Sequence, residues 1–110
     1  MTNEQRIELE RKIVRHLIRA AKEAGWNVCK VDDGGDELVT VRNETEAMDA
    51  IFAVDESRLK FTNGTVNHTV LIVGGNGIDI IADHSYVDGD ADGFEALMNR
   101  VAAYVETLDE

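Results

Sequence analysis

Residues Ser57–Val73 read SRLKFTNGTVNHTVLIV. The first six alternate: Leu59 and Phe61 fall on one side, Arg58, Lys60 and Thr62 on the other. That is the period of a half-buried strand. Asn63-Gly64 offers the two positive-φ positions of a tight hairpin turn. Asn67–Val73 then ends in the unbroken apolar run Val70–Val73, which predicts a central strand. A link this short joins only antiparallel strands, because a parallel crossover needs a dozen residues or more.

Outward from the hairpin, Gly74-Gly75-Asn76-Gly77 predicts a second turn and Ile78–Asp83 a last strand. Upstream, residues 44–53 (ETEAMDAIFA) predict a short helix, with Asn43 as its cap and Glu46 closing a capping box. Trp26–Asp32 and Leu38–Val41 read as strands around the turn chemistry DDGG at 32–35. Residues 4–24 place Ile7, Ile13, Val14, Leu17, Ile18 and Ala21 on one wide stripe, and Gly25 supplies the stop. Phe94–Leu108 closes as an amphipathic helix with Phe94, Leu97, Met98, Val101 and Val105 on one face. The order α-β-β-α-β-β-β-α predicts one α+β domain over 1–110: a five-stranded, mostly antiparallel sheet with two long helices on one face.

The bulk numbers bound the function. The apolar fraction of 44% is ordinary for a globular chain, and the longest apolar runs are far too short to span a bilayer. The charged start MTNEQRIELERK is not a secretory signal, and a lone cysteine, Cys29, suits a reducing interior; both point to the cytoplasm. A net charge of −11 argues against direct binding to DNA or RNA and against docking on anionic membrane. The charge is uneven. Residues 1–24 carry six basic and four acidic side chains; the rest carry five basic and eighteen acidic. The basic residues Arg11, Lys12, Arg15, Arg19 and Lys22 lie opposite the apolar stripe of the first helix. They form either a solvated face or a contact surface for an acidic partner, a second copy included.

Several motifs invite chemistry. DGDADG at 88–93 begins like a calcium loop, with Asp88, Asp90 and Asp92 at alternate positions and Gly93 sixth. The second half departs: position 8 is Glu95 and position 12 is Asn99, which has no carboxylate. Phe94 already belongs to the final helix's apolar stripe, so the acids read as its N-terminal decoration, with Asp92 as cap and Glu95 completing a box. Weak cation binding at Asp88, Asp90 and Asp92 remains the alternative. GGNG resembles a phosphate cradle, but cradles lead into a helix and here a strand is expected. Asp83-His84-Ser85 holds the letters of a catalytic triad, yet neighbours on an extended strand point to opposite sides. His16 and His68 read as surface or boundary residues without metal-ligand spacing. Cys29 reads as a small buried hydrophobe, and Trp26 as an anchor of the first helix on the sheet. Glu10 falls inside the apolar arc and is expected to snorkel, or to pair with Arg6 or Arg15.

AMDAIFAVDESRLKF, HTVLIVGGNGIDIIADHS and DGDADGF, within residues 25–95, resemble a group of small uncharacterised proteins of bacteriophages and prophages. The resemblance implies a bacterial cytoplasmic setting and an accessory role, and it brings no catalytic residues. The expectation is therefore a non-enzymatic interaction module without a cofactor, binding a protein partner or itself as a homodimer. One alternative is an acidic mimic of nucleic acid that occupies a basic site on a host protein; another is a weak calcium-binding module. A hydrolase built on Cys29 or His84 is disfavoured, because no converging base or acid is evident.

Overall fold

The computed structural model describes residues 2–85, 89 and 91–108. Helix α1 spans Asn3–Glu23, strand β1 Asn27–Asp32, strand β2 Val39–Thr40, helix α2 Glu44–Ile51, strand β3 Glu56–Thr62, strand β4 Asn67–Val73, strand β5 Ile81–His84 and helix α3 Phe94–Glu106. The element order and the α+β class agree with the sequence.

α1 starts where Thr2 and Gln5 exchange bonds: the Gln5 N–H donates to Thr2 Oγ1 at 3.1 Å and the Thr2 N–H to Gln5 Oε1 at 2.8 Å. It ends at Gly25, whose φ of +93° is the left-handed conformation that a β-carbon disfavours. Trp26 N–H then donates to Ala21 O at 2.8 Å and Gly25 N–H to Lys22 O at 3.1 Å, closing a Schellman motif. That turn drops Trp26, 2% exposed, into the interior.

The sheet runs β2-β1-β3-β4-β5 with every neighbouring pair antiparallel. Period-two alternation sends Ser57, Leu59 and Phe61 of β3 and His68, Val70 and Ile72 of β4 to the covered side. One row across the sheet reads Val39, Val31, Leu59, Val70, His84. Helices α1, α2 and α3 lie over that side, and Leu17, Phe61, Ile72, Phe94 and Leu97 fill the space between the layers. The short axis of 20 Å is the thickness of two layers. Arg58 and the half-buried Lys60, Thr69 and Leu71 form the other face.

Three local expectations change. The hairpin ladder stops at Thr62 opposite Asn67, and the loop is Asn63–Val66. Gly64 takes the positive φ, +94°. Asn63 contributes through its side chain, Oδ1 accepting from the N–H groups of Thr65 and Val66 at 2.9 and 2.7 Å. Cys29 sits half-buried at a bulge between Val28 and Lys30, where register with β3 shifts by one residue. Finally, Gly77–Asp79 winds into a 3₁₀ turn, so β5 begins at Ile81 and not at Ile78.

The cause of that last shift lies in α1. Glu10 is 2% exposed, and its Oε2 accepts from the N–H groups of Gly75 and Gly77, both at 2.8 Å. Gly75 and Gly77 hold φ of +97° and +61°, which turns successive N–H groups into one concavity. A carboxylate shared by two backbone donors is satisfied without a cation. Arg6 and Arg15, the expected partners of Glu10, bond instead to Asn3 at 2.7 Å and to Glu44 at 3.6 Å.

Candidate functional site

The residues singled out by sequence gather mostly around β5 and the start of α3. Phe94 is the first residue of α3 and is fully buried. Gly93 precedes it at φ +77° as the N-cap residue and offers no side chain. Asp92 is thus not the cap itself; its Oδ1 accepts from the Phe94 N–H at 3.1 Å from one position earlier. Asp88 and Asp90 lie outside the described residues. Asp92 is committed elsewhere: its Oδ2 lies 2.6 Å from His68 Nε2. Among the described residues, no three His, Cys, Asp or Glu side chains are arranged to hold a metal.

His68 is the centre of the cluster. It is 3% exposed, a correction to its reading as a surface or boundary residue. The phase of β4 held the signal, since His68 shares a face with Val70 and Ile72. Its ring lies flat on Phe94 at 4.1 Å and meets the edge of Trp26 at 5.2 Å. Nδ1 faces Ser85 Oγ at 2.7 Å. Ser85 Oγ already accepts from the Thr69 N–H at 2.9 Å. The carboxylate of Asp92 can only accept, so Nε2 carries the hydrogen and Nδ1 takes the Ser85 O–H. The hydrogen bond from His68 holds the Asp92 carboxyl below its ordinary pKa; desolvation opposes this and the Phe94 N–H adds to it.

Ser85, His68 and Asp92 have the hydrogen-bond order of an acyl-transfer triad. Their environment encloses the imidazole. The imidazole is walled by Trp26 and Phe94 and almost sealed from solvent, so it has no open side from which to protonate a leaving group. The set instead ties three segments: β4 through His68, the end of β5 through Ser85, and the entry to α3 through Asp92. Asp83 and His84, adjacent to Ser85 in sequence, take no part in it. Asp83 Oδ1 accepts the His84 N–H at 2.8 Å, and His84 Nε2 is shielded without a hydrogen-bond partner among the described residues.

The basic residues of α1 divide. Arg19 forms a two-pronged bond to Glu44 of α2 at 2.7 and 3.1 Å, and Arg15 approaches the same carboxylate at 3.6 Å. The Arg11 guanidinium sits 4.8 Å over the Phe52 ring. These three hold α2 to α1, while Lys12 and Lys22 stay exposed. A groove of about 480 Å³ near them is lined by Arg19, Lys22, Arg42 and Glu44, so it carries its own counter-charge.

A second groove, about 420 Å³, runs between β5 and α3. Ile78, Ile81, Met98, Val101, Ala102 and Val105 give it an apolar floor, and its charged lining is Asp79, Asp83 and Glu106. Among the described residues β5 is the last strand of the sheet, so one of its edges has no strand beside it. The groove therefore lies next to an open strand edge, a juxtaposition the sequence did not reveal. Residues 78–83 read as a strand and 94–108 as a helix, but nothing local says that they are neighbours.

No protein-family model, curated protein or solved structure matches the chain. No helix among the described residues is long and apolar enough to cross a membrane.

Proposed function

We propose that this chain is a non-enzymatic interaction module that takes an extended segment of another polypeptide onto β5, beside α3. The open edge of β5 bordering an apolar groove carries the reading. An incoming strand gains main-chain hydrogen bonds from the edge and buries alternate side chains in the groove. A second copy is the competing occupant, and charge disfavours it: two-fold pairing through β5 would set Asp79, Asp83 and Glu106 against the same acids. The arginines that motivated self-association by charge are also partly taken up, since Arg15 and Arg19 serve Glu44. The absence of catalysis belongs to the same proposal, because His68 of the Ser85–His68–Asp92 set is closed to substrate. So do the bacterial cytoplasm and the phage accessory role that the resemblance implies.

Selection of a random peptide library on the purified chain, followed by amide shift mapping, tests the reading. Selected peptides are expected to move the amides of Ile81–His84 and Met98–Val105. Peptides that perturb only α1 and α2, or a chain that dimerises through β5 and takes no peptide, would overturn it.

A further inference from the structure

Resting on the β5 docking reading, we infer that the captured segment is an alternating apolar and cationic strand, with Asp83 acting as the switchable contact. Side chains of an added strand point alternately to the two faces of the sheet. On the covered side they enter the groove against Ile81, Met98, Val101 and Val105, where apolar residues fit. On the other side they fall beside Asp83, which pairs with Leu71 across the sheet and therefore faces away from the helices. Opposite charges at such cross-strand positions attract and like charges repel. Among the described residues the groove is lined by three carboxylates and no lysine or arginine, and on the Asp83 face Arg58 stands two strands further in, beyond Leu71, so the rim selects a cation over an anion.

Asp83 also guards the edge. Its Oδ1 accepts the N–H of His84 at 2.8 Å. Ladder alternation aims that N–H away from β4, because the next residue, Ser85, donates its own N–H to Thr69 O at 2.9 Å. In the free chain the carboxylate satisfies this outward donor and blunts the edge, a common protection against indiscriminate pairing. An incoming carbonyl takes over the His84 N–H, and the released carboxylate turns to the cationic side chain next to that carbonyl. An anionic or neutral strand offers no such exchange and must displace the carboxylate uncompensated.

The test uses the intact chain and four synthetic peptides of equal length: alternating Val and Lys, alternating Val and Ser, alternating Val and Glu, and Lys with Ser. The expected result is that Val–Lys binds about tenfold more tightly than Val–Ser, with shifts at Ile81–His84 and an affinity that falls with salt. Val–Glu and Lys–Ser are expected to bind least. Asp83→Asn keeps an acceptor for the His84 N–H and loses the charge, so it should erase most of the Val–Lys advantage and leave Val–Ser unchanged. Equal binding of Val–Lys and Val–Ser at β5 would overturn the cationic preference while leaving the docking site standing. Failure of every peptide to move the β5 and α3 amides would overturn the docking reading itself. A full Val–Lys advantage in Asp83→Asn would remove Asp83 from the mechanism.

Discussion

Two carboxylates are caught by the chain's own donors at opposite ends of β4, and the two capture sites are built differently. Glu10 reaches sixty-five residues along the chain to the backbone N–H groups of the glycine loop. Asp92 reaches an imidazole and, through it, Ser85. The first site has fixed donors that cannot titrate. The second passes through an imidazole ring and a hydroxyl that can rotate. The Glu10 site thus ties a loop to α1 through backbone donors, while the Asp92 site joins β4, β5 and α3 through side chains.

Removing the floor of the His68 site should have the largest effect. Phe94→Ala deletes a fully buried ring stacked on His68 and is expected to lower stability by about 3–5 kcal/mol, measured by urea unfolding. Glu10→Ala comes next. It removes the charged acceptor of two partly buried N–H groups; bonds to a charged group are worth roughly 1.5–3 kcal/mol each and water can replace part of that, so a loss of about 2–4 kcal/mol is expected. Glu10→Gln keeps an acceptor and should recover part of that loss; no recovery would mean that charge, and not hydrogen bonding, holds the loop. Ser85→Ala should be milder, about 1–2 kcal/mol, since it removes two neutral hydrogen bonds, one to His68 and one from the Thr69 N–H, at an exposed strand end. A larger loss would show that the two capture sites are equally rigid.

The smallest effects concern pH. Asp92 titrates lower in the folded chain than in the unfolded one. Its contribution is therefore present above the ordinary carboxylate pKa and is lost as pH falls from there through the lowered folded value. Asp92→Asn should flatten that acid limb of the stability curve. His16 stacks on Tyr104 at 3.7 Å between α1 and α3, and burial lowers its pKa, with Glu23 opposing and Arg100 assisting. A base with a lowered folded pKa favours the fold above about 6.5 and loses that contribution as pH falls. His16→Gln should remove a shallow slope just below neutrality, and chemical denaturation at stepped pH would detect it.

The contrast also marks what the sequence could convey. α1 and α3 were legible because apolar stripes and capping residues are local: Thr2 and Gln5 sit three apart, and Gly25 stops the helix in place. The paired strands β3 and β4 were legible for the same reason. Glu10 was not, because nothing near it indicates a glycine loop as its partner. Its polar letter inside an apolar arc was nevertheless a visible anomaly. GGNG was legible as a turn, but Glu10 draws its backbone into a 3₁₀ turn and delays β5 by three residues. His68 was misread although its phase in β4 was on view, because a histidine's burial depends on the partners that distant Ser85 and Asp92 supply. β2 shrinks from four expected residues to two, since the ladder pairs only Val39 and Thr40 with β1, although the Val41 N–H still donates to Cys29 O at 3.0 Å.

One consequence of the Glu10 bond reaches beyond stability. A carboxylate anchored on its own scaffold meets the glycine loop as an intramolecular ligand, at an effective concentration no dissolved anion matches. Phosphate, sulfate or a nucleotide would have to evict it and also leave a buried acid without donors. A loop whose letters invite comparison with phosphate-binding turns is therefore pre-occupied, and the fold itself is the occupant.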